Sequence, residues 1–278
     1  REGGRQATST GMVSSARLGV LLPLLCRGAW LRPDLRMCVQ TERPGHQGGR
    51  SVKQHKVRQH VNPLRSSHQT ELALPLGWAE EAFSSPSQHT HVDIGSARGL
   101  WCLDLAQRRP DWNVVGIEIR RVLAEAAQED AKALGLDNLR FFACNANVNL
   151  EPMIEKAAPS GTRLNSVSLQ FPDPWFKAKH HKRRTLQPPL VQTLSKRLEP
   201  GGWLLLQTDV HELAVEMREM VREHAGAVLI DEVDDVENWD AVKPPELLGL
   251  TTERERACFE LGRPIYRCLF RKRVGTHS

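Results

Sequence analysis

The sequence predicts an α/β fold, a doubly wound and mostly parallel sheet whose last strand runs antiparallel. From about residue 88, short apolar runs alternate with helical patterns, as βα units do. Two of those runs end in an acid and lie one βα unit apart, "VDIGSARG" and "GIEIR". A third, "WLLLQT" (203–208), is apolar without alternation, as expected of a strand covered on both faces.

The elements follow in order. "HTHVDIG" (89–95) reads as a strand entering a glycine turn, and "LWCLDLAQRRP" as the helix after it, stopped by Pro110. "NVVGIEI" (113–119) is the second strand. The helix that follows ends at Gly135, with Leu123, Ala127 and Leu134 on one face. "NLRFFAC" (138–144) and "RLNSVSLQF" (163–171) are the third and fourth strands. A helix starts near the prolines at 188 and 189, with Leu190, Leu194 and Leu198 in line, and "EPGGW" punctuates it before the buried strand. Asp209 and Glu212 read as a capping pair for a helix with Leu213, Met217 and Val221 inward. "GRPIYRCLFRK" supplies the last strand, antiparallel and at an edge.

With 278 residues and 40% hydrophobic content, the chain can bury a full core. Its organisation reads as an N-terminal extension over 1–56, a linker or leading segment over 57–88, and a catalytic domain over 89–274. Residues 1–62 hold nine Arg and two Lys against Glu2, Asp34 and Glu42, so the formal charge of +5 belongs to them and the remainder is net acidic. Any interaction with nucleic acid must therefore rest on local clustering. The extension is rich in Arg, Ser and Gly and carries "LGVLLPLLC", too short to span a bilayer. It reads as a plastid or mitochondrial transit peptide, with a secretory signal or upstream sequence foreign to the protein as alternatives, and a cytoplasmic location if it is not a targeting segment. The six cysteines have no zinc-like spacing and read as reduced thiols, and no metal is expected.

The acids Asp93 and Glu118 fall at strand ends, where α/β sheets bind ligands. The loop between has Gly95, Ala97 and Gly99 but lacks the third glycine of a dinucleotide fingerprint, which argues against a dehydrogenase. Two carboxylates suit a nucleoside bearing a cation, S-adenosyl-L-methionine, better than a pyrophosphate. Glu118 sits where an acid accepts both ribose hydroxyls; helix capping or a solvated loop is the bland alternative for either acid. In "CNAN" (144–147), Asn145 is either an adenine contact or an ordinary turn asparagine.

"FPDPWFKAKHHKRR" (171–184) sets a stiff, acid-bearing head against a cationic run. Together with "VDIGSARG", "GIEIR", "CNAN", "QTD" (207–209) and "TERERACFELGRPIYR" (252–267), it makes the chain resemble the TrmB-type tRNA (guanine-N7)-methyltransferases, which have a Rossmann-like class I methyltransferase fold. "VRQHVNPL" (57–64) and "TERER" look most like the cyanobacterial and plastid branch. The resemblance implies methyl transfer from S-adenosyl-L-methionine to a guanosine in the tRNA variable loop. By it, Asp93, Gly95, Glu118, Asn145 and Ala146 contact the cofactor and Asp173 is catalytic. Lys177, Asp209, Thr252 and Glu255 fall on positions that hold the guanosine. Lys179, Lys182, Arg183 and Arg184 are then suited to the RNA backbone, and Trp175 and Phe176 either stack on the base or pack as core. Asp209 and the Thr252–Glu255 pair also have the makings of helix caps. His180 and His181, adjacent in sequence, point apart and are not read as a metal pair. Ala97 and Asn145 depart from the usual pattern. Methylation of another RNA, or RNA binding with a decayed cofactor pocket, are the rival functions.

Overall fold

A computed structural model describes residues 61–233, 239 and 243–275; the extension over 1–56 and its targeting role lie outside them. In chain order the elements are α1 (Trp78–Ala82), β1 (His89–Ile94), α2 (Leu100–Arg108), β2 (Trp112–Glu118), α3 (Arg121–Ala133), β3 (Leu139–Ala143) and α4 (Ala146–Ala157). Then come β4 (Arg163–Gln170), α5 (Pro188–Arg197), β5 (Leu198–Thr208), α6 (His211–Ala225), β6 (Leu229–Asp231), α7 (Glu253–Glu260) and β7 (Tyr266–Lys272). The strand order is β3-β2-β1-β4-β5-β7-β6. The first five strands are parallel, and β7 is antiparallel to both neighbours. This is the Rossmann-like arrangement of class I methyltransferases.

Period-two alternation along the strands divides the core. Leu204 and Leu206 join Val92, Ile94, Leu150, Leu190, Leu194 and Leu213 on one face of the sheet. Trp203 and Leu205 join Trp101, Leu105, Val114, Ala127 and Leu139 on the other. The continuous apolar run of β5 thus feeds two cores.

Four expectations need correction. α3 packs through Ala124, Ala127 and Ala131, not Leu134, which is 53% exposed. The alanines leave room for Phe141 of β3 under the loop before α2. β5 starts at Leu198, so "EPGG" lies inside the strand. There the register against β4 slips between Leu164 and Ser166, and a Cβ on Gly202 would lie 2.6 Å from the Asn165 carbonyl. β7 is not an edge, because the three-residue β6 lies outside it. α6 is capped from Val210, whose N–H donates to the Thr208 hydroxyl at 3.2 Å, and not by Asp209.

Residues 61–88 pack on the sheet domain. Leu72 N–H donates to the Asn149 side chain at 2.7 Å, and Trp78 and Phe83 enter the core. Cys102, Cys144, Cys258 and Cys268 are buried free thiols; Cys26 and Cys38 lie outside the described residues. Among the described residues no helix is long and apolar enough to cross a membrane, and no cluster has the makings of a metal site.

Candidate active site

The carboxyl ends of β1, β2, β3 and β4 open into a two-lobed cleft. One lobe, of about 280 Å³, is walled by Ile117, Glu118, Asn145, Ala146, Asp173 and Trp175, among others. The other, of about 580 Å³, is walled by Asp93, Ser96, Trp101, Thr252 and Arg254, among others. Gly95, Arg120, Gln170 and Phe171 border both.

The loop after β1 bends tightly. Gly95 and Gly99 have φ of +84° and +74°, and Ala97 has φ +51°. A side chain on Gly99 would put its Cβ 2.5 Å from Phe141, so both φ and space demand glycine there. At Gly95 an added Cβ would meet nothing, which leaves the loop backbone open to a ligand.

Glu118 is buried at the end of β2 and receives four donors. These are Ala97 N–H at 3.0 Å, Arg120 N–H at 2.8 Å, and Arg120 Nε and Nη2 at 2.8 and 2.9 Å. Arg120 is held above its ordinary pKa, first by these Glu118 bonds and also by nearby Asp173. Asp93 accepts from Ser168 at 2.6 Å and from Gln170 at 3.1 Å, both on Oδ1, and from the Cys102 thiol at 3.5 Å on Oδ2. Burial pushes the Asp93 carboxyl above its usual range, against the pull of those bonds. Asn145 is the N-cap of α4, its side-chain oxygen accepting from Asn147 N–H at 3.1 Å while Nδ2 reaches the Pro63 carbonyl at 3.4 Å. Ala146 opens α4 and is buried.

After β4 the chain turns sharply at Phe171 (φ +49°) and Trp175 (φ +43°), with Pro172, Asp173 and Pro174 between. With Ala97, these are the three non-glycine residues of left-handed φ among the described residues, and all three line the cleft. Such conformations cost about 1–3 kcal/mol each and persist only where surroundings over-determine them. Here Phe171 N–H donates to the Gln207 carbonyl at 2.7 Å. Arg184 supplies the other anchor: its Nε donates to the Pro174 carbonyl at 2.7 Å, and it ion-pairs with Glu216 of α6. Arg184, expected on the RNA backbone, is only 10% exposed and braces the Asp173 loop from beneath, because the 3-10 turn over Ala178–Arg183 folds it inward.

The rest of that run divides by direction. Lys177, Lys179 and Lys182 are exposed, whereas Arg183 lies over the Trp175 ring at 5.2 Å. Trp175 also meets His180 edge-on at 5.6 Å, while Phe176 is 76% exposed and so is not core. Beyond β5, Asp209 pairs with Arg254 of α7. Thr252 and Glu255 form a reciprocal capping box on α7, with bonds of 3.0 and 2.9 Å. Glu255 is fully buried and also pairs with Lys243 at 2.6 Å and Arg267 at 2.9 Å. Burial acts to raise it, but Lys243, the Thr252 N–H and Arg267 prevail and hold it below the usual carboxylate range. Glu255 therefore sits behind the cleft wall, and Thr252 and Arg254 form that wall.

Arg120, Phe171, Gln170 and Arg254 are site residues that the sequence reading did not single out. For Arg120, Gln170 and Phe171 the signal is proximity to a strand-end acid or to a proline pair; Arg254 meets Asp209 only through the fold. The first lobe sets apolar walls, Ile94, Ile117 and Leu169, against Glu118, Asn145 and Asp173, and in the second lobe Ser96 Oγ is buried with no hydrogen-bond partner among the described residues. That set of donors and surfaces fits a nucleoside, with the Asp93 carboxylate available to a cationic group in the second lobe.

A family model described as a putative methyltransferase matches residues 87–268. A tRNA (guanine-N(7)-)-methyltransferase of Synechocystis sp. is 44% identical over 217 residues, 78% of this chain and 97% of that protein. One from Nostoc sp. is also 44% identical, over 94% of its length. Among solved structures, the 16S rRNA methyltransferase KamB aligns over 73% of this chain and 96% of its own, with a TM-score of 0.49 and 16% identity. On identity and coverage together, the chain belongs to the tRNA (guanine-N(7)-)-methyltransferase family.

Proposed function

We propose that this chain transfers the methyl group of S-adenosyl-L-methionine to N7 of a guanosine in the variable loop of tRNA. The observation that carries the reading is the placement of Asp173. Its carboxylate stands between two prolines at the end of β4, where the first lobe of the cleft meets an exposed cationic turn.

Glu118 and Asn145 with Ala146 are the residues suited to hold the ribose and the adenine, and Asp93 with Gly95 the amino-acid end. The cofactor supplies an electrophilic methyl on a sulfonium. Guanine N7 carries a free lone pair, so no base is needed to remove a proton first. The purine becomes cationic as the methyl arrives, and Asp173 is placed to stabilise that growing charge. Pro172 and Pro174 restrict the backbone on either side, and Arg184 holds the loop from below, so the carboxylate needs little reorganisation. Trp175, braced by Arg183, borders the lobe that an extruded base would enter, with Thr252 on the wall of the second lobe, Asp209 paired to Arg254 beside it, and Glu255 acting through the α7 cap. Lys177, Lys179 and Lys182 suit the phosphates that follow.

The same reading takes residues 1–56 as an organellar transit segment, 57–88 as the leading part of the catalytic domain, and 89–274 as its body. Transcribed tRNA in which the variable-loop guanosine is replaced by 7-deazaguanosine tests the function, because that base lacks N7. Labelled methyl should enter the normal transcript and not the substituted one. Equal incorporation into both would reject N7 of that guanosine as the target.

A further inference from the structure

β1 and β4 run side by side with His91 opposite Ser166 and Asp93 opposite Ser168. His89, His91 and Asp93 alternate along one face of β1, and Ser166, Ser168 and Gln170 along the same face of β4. This polar ladder is enclosed by aromatic rings. His91 is fully buried, with Trp101 and Trp203 centroids at 5.5 and 5.4 Å, and His89 stacks on Trp112 at 3.7 Å. An apolar core at this position would cost nothing in satisfied polar groups, so a fully connected polar one calls for a reason.

The bonds form one unbroken series. His89 Nε2 is 2.8 Å from Ser166 Oγ, which is 2.9 Å from His91 Nδ1; His91 Nε2 is 3.0 Å from Ser168 Oγ, which is 2.6 Å from Asp93 Oδ1. The proton positions follow from inventory. A carboxylate only accepts, so Ser168 gives its single hydroxyl proton to Asp93. His91 Nε2 must then donate to Ser168, which leaves Nδ1 to accept from Ser166, and Ser166 in turn accepts from His89 Nε2. Burial lowers His91 to a pKa of about 3 and His89 to about 4, consistent with neutral rings.

A second series reaches the same oxygen along the same face, crossing the sheet from β7 through β5 and β4. Arg267 Nε, which can only donate, gives to Gln207 Oε1 at 3.0 Å; Gln207 Nε2 gives to Gln170 Oε1 at 2.8 Å; Gln170 Nε2 gives to Asp93 Oδ1 at 3.1 Å. Both series therefore converge on Oδ1, while Oδ2 accepts, among the described residues, from the weak Cys102 thiol alone, at 3.5 Å.

We propose that these two one-way hydrogen-bond relays are positioning devices for Asp93. They spend Oδ1 on the protein and fix the carboxylate so that Oδ2 is left to accept from the cationic amino-acid end of the cofactor. His91, Ser168, Gln170 and Gln207 are the positioning residues. The inference rests on the cofactor reading above.

Nitrogen-15 NMR of histidine-labelled full-length protein at neutral pH tests the relay without any turnover. His91 should be neutral, with its proton on Nε2 and a bare Nδ1. A proton on Nδ1, or an imidazolium, would overturn the proposal. Ser168→Ala and Gln207→Leu should each weaken S-adenosylmethionine binding by calorimetry about tenfold, on the scale of a hydrogen bond to a charged group. The KM for the cofactor should rise more than kcat falls, with tRNA affinity unmoved. Cofactor affinity equal to the unaltered protein's in both variants would refute it. If a variant fails to fold, the His91 tautomer decides. A protein that shows the tautomer and the affinity losses but forms no 7-methylguanosine would refute the proposed reaction and leave the relay standing.

Discussion

Arg184 and Lys182 stand two positions apart in one cationic run, yet one braces the Asp173 loop and the other faces solvent. Composition could place the run next to the site, but only the turn of the 3-10 segment decides which cation points inward. Gly99 makes the same point from the opposite direction. Its glycine is legible as part of a tight loop, while the stronger reason for it, the Phe141 ring of a strand some forty residues later, is tertiary. Gly99→Ala should destabilise the fold by about 2–4 kcal/mol, combining left-handed strain with overpacking. Chemical denaturation checks this, and a Phe141→Leu background should recover part of the loss.

At the scale of elements, β1 and α7 carry charges and polar groups whose roles depend on neighbours. The acid at the end of β1 was legible, because a strand-end carboxylate is a local pattern. The pairing of His89 and His91 with serines was not, since it needs the register of β4. Burial lowers His89 from 6.5 to about 4, and His91 from 6.5 to about 3, with Arg109 adding to the first and His89 to the second. Below pH 6.5 the unfolded chain takes up protons that the native ladder refuses, so these histidines make stability fall as pH drops from about 6.5 towards 4. The loss should approach a slope of two protons, and His91→Gln should remove one, as read from unfolding free energy against pH. On α7, Thr252→Ala should cost about 1 kcal/mol as a lost cap. Glu255→Gln should cost more, about 3–5 kcal/mol, because Lys243 and Arg267 would be left without their buried partner charge. Thermal or urea unfolding separates the two.

For the molecule as a whole, the parallel sheet and its helices were readable from alternation of apolar runs, and the site's edge from two acids and a proline-flanked aspartate. The three-residue β6 left no periodic trace, which is why β7 looked like an edge. The net charge pointed towards RNA for the wrong reason, since the excess lies in residues 1–62. The exposed cations that follow the Asp173 loop are a local group, Lys177, Lys179 and Lys182. Replacing all three by glutamine should weaken tRNA binding and reduce the dependence of log K on log salt by about 2–3, at roughly 0.7–0.9 per phosphate released. A salt dependence unchanged by that triple replacement would place the RNA elsewhere.

In the proposed reaction Asp173 stabilises the cationic purine as it forms, while neighbouring groups bind the RNA. The most direct measurement is single-turnover methyl transfer to unmodified tRNA, with 7-methylguanosine identified by mass spectrometry, beside the tRNA dissociation constant, for the native chain and Asp173→Ala. Asp173→Ala should lower the rate by about 10²–10³, the scale of a lost electrostatic stabiliser, and change tRNA affinity by less than about threefold. A rate that survives the substitution, or an affinity that falls as far as the rate, would contradict it.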